Sequence, residues 1–193
     1  MLSAVISTSN SERSLVPTLS ALVPAAAGGL LAEVVIADAG SRDATAEVAD
    51  IAGCRFTSSD ETLGARLKAA AATIRSPWLM FLRAGAVPQS GWIEAADHFM
   101  QTGGLLEGSG SAAIFRLPRL AGTVRPGIGE LVALMRTVIV RGPRPEQGLL
   151  ITRRLYDAIG GHSDGEDAEA AILRRLGRRR LVVLPATIAI PNT

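Results

Sequence analysis

A chain of 193 residues with 48% apolar and 20% charged side chains is long enough to bury a sizeable core, and that composition excludes an intrinsically disordered chain. A formal net charge of +2 and 4% aromatic content supply neither the electrostatic footprint nor the stacking surface expected of a nucleic-acid binder. One cysteine, Cys54, excludes an internal disulfide and a cysteine-built metal cluster, and points to a reducing, cytoplasmic setting.

Strand and helix patterns alternate along the first half. "LSAVIS" (2–7) is a short β-branched strand, and polar "TSNSE" opens a helical pattern carrying Leu15, Leu19, Leu22 and Val23. Pro17 fits that helix only in its first turn. "AEVVIAD" (32–38) is a second buried strand, followed by a helix with Asp43 as N-cap and Gly53 as its stop. "CRFTS" (54–58) is a third strand. Over 61–75, Leu63, Leu67, Ala70, Ala71 and Ile74 share one helical face. It leads into "WLMFL" (78–82), the most uniformly apolar strand.

The second half predicts a helix over 91–101, a strand over 111–118, an amphipathic helix over 128–139, a loop over 141–147, a helix over 165–177 and a last strand at "RLVVLP". Apolar strands joined through helices argue an α/β fold, a three-layer sandwich with a mostly parallel central sheet. Ligands of such sheets sit outside the carboxyl ends of the strands, here Ser7–Asn10, Asp38–Ser41 and Arg83–Ala86.

Several groups carry chemistry. Asp38 projects from a strand end and either stabilises its turn or accepts hydrogen bonds from a base or ribose. Asp164, Glu166, Asp167 and Glu169 crowd a helix start, where the helix dipole favours acids and where one of them has the reach of a general base. Five arginines (174, 175, 178, 179, 180) follow as a solvated face or an anion-binding patch. His98 and His162 lack metal-ligand spacing. Ser109 and Ser111 sit among glycines without a G-x-S-x-G elbow.

These segments together resemble the family 2 glycosyltransferases of the GT-A fold. "AVISTSNSE" is similar to that family's opening strand and turn. "VVIADAGSRDAT" resembles its V-V-D-G-G-S-T-D-G-T segment, and "LGARLKAAAATIRSPWLMFLRAGAVP" its R-x-x-x-x-N-x-G helix and L-F-L-x-A-D-T-x-x-P strand. "EQGLLITRRLYDAIGGHSDGEDAEAAILRRLGRR" is similar to the closing acceptor-side segment, with its G-G-F and E-D-x-x-L-x-x-R-L-x-x-x-G patterns. The resemblance is to the small, single-domain bacterial type. It implies one domain over 1–193, with 1–88 a nucleotide-binding half and 89–193 an acceptor-side half.

It also implies an inverting transfer of a sugar from a nucleotide-diphosphate donor to an acceptor hydroxyl. Ser7, Thr8, Asn10, Asp38 and Arg66 would then hold the nucleotide. Asp167 would deprotonate the acceptor, and Gln147 and Glu166 would lie near the donor sugar or acceptor. The chain departs from the pattern where chemistry needs it. The metal-binding aspartate falls on Gly85, which has no side-chain ligand for Mg²⁺ or Mn²⁺, and Arg83 stands two positions before it. Arg83 is then either a built-in cation for the leaving diphosphate or a solvent-reaching residue of a domain that has lost catalysis. The alternative function is a non-catalytic GT-A-like module that binds a nucleotide or a protein. A nucleotidyltransferase would need a Gly-rich loop with a lysine after the first strand, and residues 8–14 have neither. No apolar run reaches the roughly 18–20 residues of a membrane span. Peripheral membrane contact and homo-oligomers stay open.

Overall fold

A computed structural model of the chain describes residues 1–103, 112–118 and 142–190. The predicted helix over 128–139, together with Ser109 and Ser111, lies outside them. Eight strands and six helices are described: β1 (Leu2–Thr8), α1 (Glu12–Ala27), β2 (Leu31–Asp38), α2 (Thr45–Ile51), β3 (Arg55–Ser58), α3 (Leu63–Thr73), β4 (Trp78–Arg83), β5 (Val87–Pro88), α4 (Trp92–Gly103), β6 (Ala112–Arg116), β7 (Leu149–Thr152), α5 (Arg153–Ala158), α6 (Ala168–Arg180) and β8 (Leu181–Ala189). A 3₁₀ turn, Pro145–Gln147, precedes β7. The strand order is β3-β2-β1-β4-β7-β6-β8-β5.

The four strands of the first half pair in parallel, as their intervening helices require. β7 then enters antiparallel between β4 and β6, β6 pairs parallel with β8, and β5 pairs antiparallel with the end of β8. Alternate strand residues feed two cores, because successive side chains point to opposite faces. Ala4, Ile6, Met80 and Leu82 pack with Leu15, Leu19 and Leu22 of α1 and with Trp92 and Phe99 of α4. Val5, Val35, Leu79 and Phe81 pack on the other face with Leu67 of α3, Tyr156 of α5 and Ile172 and Leu176 of α6. The result is the expected three-layer α/β/α sandwich, with a sheet more mixed than the first half alone suggests.

Pro17 is not in the first turn of α1: the helix starts at Glu12, and both Pro17 and Pro24 lie inside it. Each interior proline costs about 3 kcal/mol, while burying Leu15, Leu19 and Leu22 contributes roughly 1.5–3 kcal/mol apiece. The carbonyls freed four residues earlier belong to exposed Arg13 and Ser20, where water can satisfy them. Leucine burial is therefore of the same size as the cost of the two breakers and offsets it. β8 runs through Pro185 to Ala189, well past the predicted "RLVVLP", because Leu184, Ala186 and Ile188 continue the buried alternation. α6 kinks at Gly177 (φ +66°), so its regular part ends with the buried Leu176.

Candidate active site

β1, β2 and β3 end level with one another: Thr8 is in register with Asp38, and Asp38 with Ser58. That register brings three polar side chains together. Asp38 is 1% exposed and accepts from Thr8 Oγ1 (2.7 Å), Ser41 N (2.7 Å), Ser41 Oγ (2.5 Å) and Ser58 Oγ (3.0 Å). Burial pushes its pKa up, but the bonds from Ser41, Thr8 and Ser58 outweigh burial and hold the carboxyl below the usual aspartate range. Two donors per oxygen fill the carboxylate's acceptor sites. Asp38 is thus the knot of the strand ends, and a base or ribose would have to displace one of these donors to reach it.

The helix starts above this knot are tied to each other. Asp43 accepts from the backbone of Thr45 (3.1 Å) and of Glu12 (3.1 Å), while Glu12 accepts from Ala44 N (3.1 Å). Asp43 therefore serves the first turns of both α1 and α2, although the residue preceding α2 is Ala44. Asn10, held at φ +46°, accepts from Arg42 N (2.9 Å) and donates its backbone N–H to Ser41 Oγ (2.8 Å). Of the residues expected around a nucleotide, Thr8 and Asn10 thus spend their side chains on the scaffold. Ser7 is half-buried at the end of β1, its backbone carbonyl accepting from Ala84 N (3.0 Å).

Arg66 behaves differently. Its side chain leaves α3 and runs under the ends of β1 and β2, where Nη1 makes two long contacts, 3.5 Å each, to the carbonyls of Thr8 and Ala37. The residue is 9% exposed, and its Nε is buried with no hydrogen-bond partner. Among the described residues no carboxylate pairs with it. A buried guanidinium served only by two distant carbonyls is costly, and an anionic ligand would satisfy it.

The fourth strand end holds the opposite arrangement. β7 runs antiparallel to β4 with Leu149 opposite Phe81, so the turn before β7 lies beside Arg83 and brings Glu146 there. Glu169, in the first turn of α6, completes the group. Arg83 Nε and Nη2 both contact Glu169 Oε2 at 2.5 Å, and Nη1 lies 4.0 Å from Glu146. The Arg83 guanidinium is paired with these carboxylates, while its side chain is still 42% exposed. Burial pushes the Glu169 carboxyl above the usual glutamate range; Arg83 pulls it back without cancelling the effect, and Glu146 pushes it further up.

Gly85 gives a divalent cation no side-chain ligand at this strand end. Gly85 turns the chain at φ +91° and donates its N–H to Ser14 O (3.0 Å) and Thr18 Oγ1 (2.9 Å). Among the described residues no group of three His, Cys, Asp or Glu side chains is placed to hold a metal ion. Gly85→Asp would restore the family's residue but force it into a left-handed conformation costing about 1–2 kcal/mol. The expected outcome is a lower melting temperature with no Mn²⁺-dependent recovery in a thermal-shift titration.

The acidic cluster sorts by helical phase. Glu169 lies three, four and seven residues before Ile172, Leu173 and Leu176, so it shares their buried face. Asp167 precedes α6, is exposed, and makes no capping bond with its side chain. Glu166 accepts from Leu63 N (3.2 Å), and Asp164 accepts from Thr62 Oγ1, so both serve the start of α3. Gly64 is needed at that crossing: a Cβ there would sit 1.9 Å from Ser163 O. Gln147 donates to Phe115 O (2.7 Å) and accepts from Arg144 N (2.8 Å), which ties its amide to the 3₁₀ turn. Glu169 was thus one of four carboxylates in the sequence, and the signal that singles it out was the spacing to Ile172 and Leu176. Counting the E-D-x-x-L-x-x-R-L pattern from Arg175-Leu176 also puts its second acid at 169.

A sheet whose first four strands run parallel thus gathers a buried cation and a buried carboxylate at its strand ends, and the fold is GT-A. The family model Glycosyl transferase family 2 matches residues 3–105, more than half of the chain, and the chain belongs to that family. No curated protein gives a significant match. Among solved structures, glucosyl-3-phosphoglycerate synthase from Mycobacterium tuberculosis in complex with Mn²⁺, UDP and glucosyl-3-phosphoglycerate is similar in fold, with TM-score 0.71 and 19% identity over 100% of this chain and 72% of that one. Its complex with Mn²⁺ and UDP-glucose gives 0.70 and 19% over the same shares. A structure described only as a mycobacterial protein gives 0.66 and 20%, over 98% of this chain and 65% of that one. Among the described residues no helix is long and apolar enough to cross a membrane.

Proposed function

We propose that this chain transfers a sugar from a nucleotide-diphosphate donor to an acceptor hydroxyl, using two residents of the strand ends in place of a metal held at position 85. Arg66 faces the diphosphate, and Glu169, in place of Asp167, takes the acceptor proton. The observation that carries this reading is the buried Glu169, whose pKa is raised and whose Oε2 alone is engaged by Arg83. A module that only binds has no use for a carboxylate buried at its strand ends.

The proposed step is a single displacement. The acceptor O–H gives its proton to Glu169 while its oxygen bonds to the anomeric carbon. The bond from that carbon to the diphosphate oxygen breaks, and the electron pair leaves on the diphosphate. Negative charge grows there, and a fixed guanidinium stabilises it without reorganising. Arg83 serves Glu169 rather than the leaving group: it fixes the carboxylate and keeps its pKa from rising further.

The crystal structures of similar fold hold UDP and UDP-glucose, which makes uridine the first donor to test. Calorimetric titration with UDP-, GDP- and dTDP-sugars, in EDTA and then in Mn²⁺, separates the readings. Binding that survives EDTA, with transfer to a hydroxyl acceptor or slow hydrolysis of the donor, supports the proposal. Binding without turnover favours the non-catalytic module, which the tied-up Asp38 and Gln147 side chains support. No binding of any nucleotide would sink the transferase reading and leave only a protein-binding module.

A further inference from the structure

We propose that His162 is a positioning residue for Glu169: its Nε2–H holds one water against the carboxylate and so favours the carboxylate's ionised form. The inference rests on Glu169 being the acceptor base, but its geometry stands independently. His162 is 1% exposed, and its buried Nε2 has no hydrogen-bond partner among the described residues. It borders a pocket of about 10 Å³ lined also by Phe81, Pro145, Leu149, Ile172 and Leu173, where among the described residues the titratable side chains are His162 and Glu169. Such a space holds about one water.

The tautomer follows from the bonds around Tyr156. The His162 backbone N–H donates to Tyr156 Oη (3.2 Å), and Tyr156 Oη lies 3.0 Å from His162 Nδ1. With its oxygen already accepting, the phenol proton finds its acceptor in Nδ1, which leaves the ring proton on Nε2. The ring packs edge-on against Phe81, with centroids 4.6 Å apart, so it cannot swing away. An unpartnered buried ring nitrogen and a buried carboxylate thus line the same water-sized space. Burial, and after it the Arg175 charge, hold His162 down at about 4, so the ring stays neutral at physiological pH. Burial pushes the Tyr156 phenol up to about 12, which keeps its proton in place.

The groups facing this pair are few. Glu169 meets Arg83 from β4 and Glu146 from the 3₁₀ turn; His162 meets Tyr156 from α5 and Arg175 from α6. A hydrogen bond relayed to the ionised carboxylate lowers its pKa. Removing the donor should therefore raise the Glu169 pKa further and carry the acidic limb of kcat/KM to higher pH.

The test uses His162→Phe, the residue of the family's G-G-F pattern, and His162→Gln, whose amide keeps a donor. His162→Phe is expected to move the limb up by about one unit, a tenfold loss of kcat/KM below it with the plateau held, and His162→Gln to restore most of that. Carboxyl ¹³C titration of Glu169 should show the same displacement without any turnover, and ¹⁵N spectra should show the Nε2–H tautomer. Because His162→Phe leaves the Tyr156 hydroxyl without an acceptor, Tyr156→Phe/His162→Phe is the folding control and should show the same displacement. An unchanged Glu169 titration in both Phe variants, or an Nδ1–H tautomer, would overturn the inference. A displaced titration with turnover indifferent to Glu169 would instead uphold the coupling and remove Glu169 as the base.

Discussion

Glu169→Gln is expected to lower kcat by about a hundredfold to ten-thousandfold, the range a general base supplies, while Asp167→Asn leaves it within about twofold. The contrast follows from placement. Asp167 is exposed ahead of α6, whereas Glu169 is held by Arg83 on the face that carries Ile172 and Leu176. Glutamine keeps the volume and one acceptor for Arg83, so the fold should survive and the loss should fall on kcat rather than on donor binding. The pH dependence has a defined sign. The folded pKa of Glu169 lies above its ordinary value of 4.5, and the base acts only when ionised. Activity should therefore fall on acidification through that raised pKa, on a limb above the usual glutamate range, and Glu169→Gln should abolish the limb. The same shift makes a stability contribution present below the ordinary pKa and lost as pH rises through the folded one. Chemical denaturation from pH 4 to 8 should show Glu169→Gln losing less stability with rising pH than the parent. Equal rates for the two variants would move the base elsewhere.

The strands and the two-sided layering could be read in the sequence, because buried parallel strands are continuous apolar runs that end at small polar turns. "AEVVIAD" and "WLMFL" announce both their burial and their ends. What the sequence hid was partnership. Arg83 and Glu169 are 86 positions apart, and no local signal joins them. The saturation of Asp38 depends on strand register, which places Thr8 and Ser58 at its sides. Asp38 and Arg83 were thus legible as strand-end residues, whereas the pairing that decides which charge is free for a ligand was not. α1 misled for a related reason. A proline's local cost argues against a helix, and the burial of Leu15, Leu19 and Leu22 offsets that cost.

Arg66→Met is expected to act in opposite directions on stability and on binding. In the absence of nucleotide the variant should melt at a higher temperature than the parent. Arg66 is 9% exposed, and among the described residues its Nε has no partner and its acceptors are two carbonyls 3.5 Å away. Methionine follows the same course along α3 into the apolar surroundings of Leu67 and Ala37, and it removes a charge whose desolvation is poorly offset. Binding should move the other way. A charge-assisted hydrogen bond to a diphosphate contributes about 1.5–3 kcal/mol, so the nucleotide Kd should weaken by roughly ten- to a hundredfold. A saturating nucleotide that lifts the parent's melting temperature should then leave the variant's nearly unmoved. Arg66→Lys separates charge from geometry: it keeps the cation but loses the guanidinium fork, and should recover only part of the affinity. If Arg66→Met instead melts lower and binds as the parent does, the two long carbonyl contacts are the purpose of the residue, and the anion site must be sought elsewhere along the strand ends. On the proposed reading, scaffold and site meet in one side chain: the cost of holding Arg66 on two long carbonyl contacts would be recovered when the donor arrives.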